Sequence, residues 1–332
     1  MKRKKLYVVI LILITGTIIF TSCTENSINS SANLISAVND SFIKVDTLLI
    51  PKDKFGDAVR YGRELMLNTS YYIGPNGKNG KFLGNKMNCT NCHQDAGAKL
   101  YSFSLISSHE NYPMYRPREG KVLSLAERVN NCIMRPLNGK QLELDSREMI
   151  GFLSYLKWIN SFAPKGVKFK GSKNLEIEFP TEPANPDLGS VVYDQNCSRC
   201  HGVNGQGIMR PDSSTYIYPP LWGDSSYQPG SSMHRIIKLA QWLKSNMPQD
   251  KATWDKPILT DKEALNVAAF VNNDLVHRRP SPKSLDYPYV EEKAIDYSIG
   301  PFIDTFSTIQ HKYGPYQPII TYWQKKGLKP IY

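Results

Sequence analysis

The sequence predicts an all-α chain: two units of about 100 residues in tandem, an ordinary domain size, with an extended linker between them and an irregular C-terminal tail. Two observations carry this. The pentad Cys-x-x-Cys-His occurs twice, as Cys89-Thr90-Asn91-Cys92-His93 and as Cys197-Ser198-Arg199-Cys200-His201. Each copy also sits between stretches whose apolar residues recur at helical spacing. No βαβ pattern surrounds either pentad, and no solenoid period is visible beyond the duplication.

Lys2-Arg3-Lys4-Lys5 and the apolar run Leu6 to Phe20 form a leader too short for a comfortable membrane span, so residues 1–22 read as a secretion signal. Thr21-Ser22-Cys23 resembles the bacterial lipoprotein signal, with Phe20 where leucine is usual. Cys23 would then be the acylated first residue, anchoring an exported, periplasm-facing protein to a membrane; ordinary cleavage with Cys23 incidental is the alternative. Residues 23–48, rich in Ser, Asn and Thr as far as Asp40, read as a flexible tether.

The first unit, 49–165, opens with a helix over Asp57 to Leu67. A loop at Phe103 to Tyr115 and a short helix from Leu125 to about Ile133 follow. An amphipathic helix over Asp145 to Phe162 carries Met149, Phe152, Leu153, Leu156 and Ile159 on one face and stops at Ala163-Pro164-Lys165-Gly166. Residues 166–186 are the linker. The second unit, 187–279, has helices over Leu188 to Asn196, Met233 to Ser245 and Asp261 to Val276, the last capped by Thr260. The tail, 280–332, is rich in proline and tyrosine without helical periodicity and is expected to wrap over both units.

The pentad spacing is set by chemistry. Each cysteine can form a thioether to a haem vinyl group, and the adjoining histidine is then placed to bind iron. A zinc site or a thioredoxin-like pair would leave the histidines without a reason. Helix, pentad, long loop and closing helix describe a class I cytochrome c domain, here twice, with two covalent haem c groups. The distal ligand decides whether such a site relays electrons or does chemistry. For the second haem the candidate is Met247, in Asn246-Met247-Pro248, with Met209 and Met233 as rivals and Lys244 as a possible switching ligand. Methionine also fills cores, which is the plain alternative for Met247.

Cysteine arithmetic singles out another residue. Of six cysteines, four belong to pentads and Cys23 to the leader, which leaves Cys132. It can be a buried inert thiol or the distal ligand of the first haem, in place of Met114, Met134 or Met149. A thiolate ligand would hold iron ferric and suits a relay poorly. Arg128 and Arg135 flank Cys132, with Arg116 and Arg118 upstream and Lys140 downstream. Such cations can lower a thiol pKa, bind an oxyanion, or form a solvated face. The formal charge of +11 falls to +7 without the leader, with 37 basic against 30 acidic residues. No cationic footprint for nucleic acid is gathered, so an anionic small substrate or an acidic redox partner fits better.

Several segments resemble the dihaem thiosulfate dehydrogenases: Tyr115-Arg116-Pro117-Arg118-Glu119-Gly120, Glu127-Arg128-Val129-Asn130-Asn131-Cys132, Asn138-Gly139-Lys140, Pro219-Pro220-Leu221-Trp222-Gly223, Asn246-Met247-Pro248, Gly300-Pro301-Phe302 and Gln310-His311-Lys312-Tyr313-Gly314-Pro315. The resemblance implies an enzyme that joins two thiosulfates into tetrathionate, or runs in reverse, and exchanges electrons with a small redox protein such as a cytochrome c. It implies His93 and Cys132 as ligands of the catalytic haem and His201 and Met247 as ligands of the electron-transfer haem. Arg118 and Arg128 would flank the substrate, with Arg135 and Lys140 as looser candidates. Pro136 departs from the family's frequent serine. The implied chemistry passes through a sulfur adduct on Cys132. Two other readings are a plain dihaem electron shuttle and a sulfur-oxidation cytochrome subunit that conjugates thiosulfate to a carrier. A dihaem peroxidase fits least, because His109, His234, His277 and His311 lack a ligand context.

Overall fold

The computed structural model describes residues 43–166, 168–282 and 286–332. The leader, Cys23 and the tether up to residue 42 lie outside the described residues. Among those described, no helix is long and apolar enough to cross a membrane.

Helix α1 (Lys54–Leu67) begins where the Asp53 side chain accepts the Gly56 N–H at 2.8 Å. Further along, a hairpin of β1 (Met114–Arg116) and β2 (Lys121–Leu123) leads into α2 (Leu125–Met134). There the reciprocal bonds of Ser124 and Glu127 form a capping box. Helix α3 (Arg147–Asn160) closes the first half. Val59, Leu65 and Met66 of α1 pack in one core with Met149, Phe152 and Leu156 of α3. The helices cross closely because Gly62 lacks a side chain: a Cβ there would lie 1.9 Å from the Gly151 carbonyl oxygen.

The second half repeats this crossing. Helix α4 (Pro186–Asn196) starts with proline in its first turn. It meets α6 (Asp261–Val271) at Gly189, where a Cβ would lie 2.0 Å from the Asn266 carbonyl oxygen. Between them lie the hairpin of β3 (Ile208–Met209) and β4 (Tyr216–Tyr218) and helix α5 (Ile236–Asn246).

Three segments differ from the sequence expectation. The helix expected over Met233 to Ser245 is interrupted at Arg235, which is extended (φ −80°, ψ 121°). Its guanidinium forms a buried ion pair with Asp296 of the tail. Helix α6 stops at Val271 rather than Val276; its C-cap Asn272 is buried, the side chain accepting from Tyr227 Oη and donating to the Met233 carbonyl, which fixes the helix end against the second half's core. The tail is not wholly irregular: α7 (Thr308–Tyr313) and α8 (Tyr316–Lys325) bury His311, and Tyr316, Ile319, Ile320 and Trp323.

Candidate functional site

Both pentads fold into single helical turns with the same internal bond. The His93 N–H donates to the Cys89 carbonyl at 2.9 Å, and the His201 N–H to the Cys197 carbonyl at 2.9 Å. Each imidazole is then oriented by a backbone carbonyl further along the chain. His93 Nδ1 lies 2.7 Å from the Phe103 oxygen, and His201 Nδ1 lies 2.8 Å from the Pro219 oxygen. A carbonyl can only accept, so Nδ1 carries the proton and the Nε2 lone pair is left for iron. The pentad cysteines are not paired in disulfides, and their sulfurs are largely withdrawn from water: burial alone would push the thiols of Cys89, Cys92 and Cys197 up to about 12. Thr69, which no motif marked, accepts the Cys89 N–H at 3.0 Å and donates to the Leu65 carbonyl at 2.7 Å, tying the first pentad to α1.

Beside the second pentad lies a cavity of about 740 Å³ lined by Cys197, Cys200, His201 and Met247, and also by Met233. This donor set and space fit a haem that His201 and Met247 would hold. Met247 sits directly after α5, half-buried. Met209 does not line the cavity, and Lys244 is ion-paired with Asp261. Met233 remains a rival by position.

At the first pentad, α2 places Arg128 and Cys132 one turn apart and therefore on one face. Burial pushes the Cys132 thiol up, but Arg128, His93 and Arg135 more than offset this and bring it down to about 6. Cys132 beside His93 supplies the donor pair that a Cys/His-ligated haem needs. Met149 is core within α3, and the Met134 sulfur accepts from Gln141 Nε2 at 3.4 Å.

The cations separate into two kinds. Arg135 is buried between Asp286, at 2.6 Å, and Glu119, at 3.2 Å. Arg118, also buried, donates to the Gly230 carbonyl at 3.0 Å and to Ser232 Oγ at 3.3 Å, with Asp286 at 4.0 Å. Arg128 and Arg116 have no carboxylate partner among the described residues, and the Arg116 Nε is buried without one. Burial and the nearby Arg128 charge push the Arg116 guanidinium down. Lys140 is exposed, its ammonium 5.5 Å from the Phe82 ring centroid. Pro136 offers only its carbonyl, which accepts from Asn85 Nδ2 at 3.0 Å. Thus Cys132 with Arg128 forms the charged centre, while Arg118 and Arg135 are anchored to the tail and the second half. Sequence reading missed Asp286 and Glu119, whose importance depends on distant pairing.

Three of the other histidines are structural and the fourth lies at the surface. His234 bonds Asp274, His311 bonds Asp304 and the Ile295 carbonyl, and His277 stacks on Trp222 at 3.9 Å. His109 is exposed.

The cytochrome c family profile matches residues 186–273, and the SoxA/TsdA cytochrome c domain profile matches residues 79–161. A thiosulfate dehydrogenase of Psychrobacter arcticus is 35% identical over 243 residues, covering 73% of this chain and 70% of the relative. One of Stutzerimonas stutzeri is 34% identical over 248 residues, covering 75% and 76%. Among solved structures, the thiosulfate dehydrogenase TsdBA from Marichromatium purpuratum in its as-isolated form superposes with a TM-score of 0.68 at 28% identity. That match covers 80% of this chain, which spans 55% of the solved chain.

Proposed function

This chain belongs to the thiosulfate dehydrogenase family, and from that membership we propose that it interconverts thiosulfate and tetrathionate at the first pentad. It is a dihaem cytochrome c oxidoreductase with two covalently attached haem c groups. The observation that carries the site assignment is the placement of Cys132 on α2, one turn from Arg128, which has no carboxylate partner among the described residues, and beside His93 of the first pentad. His93 and Cys132 would hold the catalytic haem, and His201 and Met247 the electron-transfer haem.

Two thiosulfate dianions joining into one tetrathionate dianion release two electrons. The bound haems supply the one-electron acceptors for these. The residues supply the rest. Arg128 offsets the repulsion between a substrate dianion and the Cys132 thiolate, in a partly dry setting where that charge counts for more. Cys132 Sγ forms a sulfur–sulfur bond to the sulfane sulfur of the first thiosulfate, and two electrons leave. The sulfane sulfur of the second thiosulfate attacks that substrate-derived sulfur, Cys132 departs as thiolate, and tetrathionate is released. No proton need move. In reverse, the same thiolate opens tetrathionate.

Replacing Cys132 with Met should abolish thiosulfate-dependent reduction of the haem bands while both haems stay attached. Undiminished reduction in Cys132→Met would return the chain to the plain electron-shuttle reading. The protein exchanges electrons with a redox protein, for which a small cytochrome c is our specific proposal. The leader supports export and lipid anchoring at Cys23 facing the periplasm. Labelled fatty acid should enter the native chain but not Cys23→Ser; equal labelling would refute the anchor.

A further inference from the structure

Helix α5 belongs to the second half, yet two of its side chains grip the loop that carries the first haem's attachment. The Trp242 indole N–H donates to the Cys92 carbonyl at 3.0 Å, and Asn246 Nδ2 donates to the Tyr101 carbonyl at 2.8 Å. Tyr101 lies two residues before Phe103, whose carbonyl orients His93. The residue after Asn246 is Met247. One short helix therefore connects the proximal side of the first haem site to the distal side of the second. Trp242 is 4% exposed, and Cys92, Trp242, Cys200 and Met247 line the same cavity. A buried indole N–H needs an acceptor, and here the acceptor is the backbone of a haem-attaching cysteine on the other domain.

We propose that Trp242 is the positioning residue for electron transfer between the two haem sites, its hydrogen bond to Cys92 holding them in register and providing a bonded route across the domain boundary. A bonded path carries electronic coupling further than an equal gap through space. One electron crosses at a time: the first site is oxidised by one electron and the second reduced by the same electron. Trp242 is neither oxidised nor deprotonated. The inference rests on the dihaem reading but not on thiosulfate chemistry.

The test uses the holoprotein with an external photoreductant, so that loss of substrate turnover cannot mimic the result. In Trp242→Phe, which keeps the packing and removes the N–H, electron equilibration between the haems should slow about tenfold, the scale of losing one orienting hydrogen bond. The optical bands of both haems should stay as in the native protein. An unchanged rate overturns the proposal, as does a slower rate accompanied by altered bands at the first haem, which would mark a general disturbance. Should the variant lose a haem, the native protein is read instead. Its Trp242 indole proton should exchange slowly and shift when the first haem changes redox state; a freely exchanging or redox-insensitive indole proton overturns the proposal.

Discussion

Arg128 lies one turn before Cys132 on α2 without a carboxylate partner among the described residues, whereas Arg135, just past the same helix, is enclosed by Asp286 and Glu119. The same side chain is thus available for an anion in one case and already neutralised in the other. Arg128→Met should lower thiosulfate turnover on the order of 10² to 10³-fold, the scale of losing one preorganised donor to a charged centre. Its denaturation midpoint should hardly move. Arg135→Met should do the reverse, removing the nearer cation from buried Asp286 and Glu119 at a cost of about 3–5 kcal/mol. Steady-state kinetics and chemical denaturation on both variants separate the roles. If Arg135→Met lost turnover at unchanged stability, Arg135 would belong with the substrate rather than the scaffold.

At the level of elements, the repeated crossing of α1 with α3 and α4 with α6 sets where each pentad stands. Gly62 and Gly189 allow these crossings, because any Cβ would overlap a carbonyl oxygen of the facing helix. Gly62→Ala or Gly189→Ala should each destabilise by about 1–3 kcal/mol as the helices are forced apart. Urea unfolding followed by far-UV circular dichroism reads this directly; a cost below that range would mean the crossing is not tight. Much at this scale was legible beforehand. The pentads are contiguous, so thioether chemistry fixes their spacing, and α3 displays its apolar face openly. Cys132 stood out by elimination. Other features carried no local pattern. The end of α6 depends on what Asn272 bonds in the folded chain. In α8, Tyr316, Ile319, Ile320 and Trp323 do follow helical spacing, but the prolines at 315 and 318 disguise it. The partners Trp242 and Cys92 are 150 residues apart, and Arg135 and Asp286 are 151 apart.

Across the whole molecule, the tail joins the halves by giving a buried carboxylate to each. Asp286 meets Arg135 beside the catalytic helix, and Asp296 meets Arg235 at the start of α5, where it also accepts the Ile237 N–H at 3.1 Å. The Asp286 and Asp296 side chains are both fully buried, and Tyr115 adds a bond to Glu292 at 2.6 Å. Exposed ion pairs contribute roughly 0–1 kcal/mol, but breaking a buried pair costs about 3–5 kcal/mol, because the remaining charge is left out of water without a partner. A tail that merely lay on the surface would give the smaller figure. Asp286→Asn should therefore weaken the first half selectively, its haem bands losing their native form at lower denaturant than those of the second. Asp296→Asn should invert that order. Denaturant titration followed at both haems tests this, since identical midpoints in the two variants would reduce the tail to a passive cover. The native chain, with both carboxylates in place, should unfold in one transition.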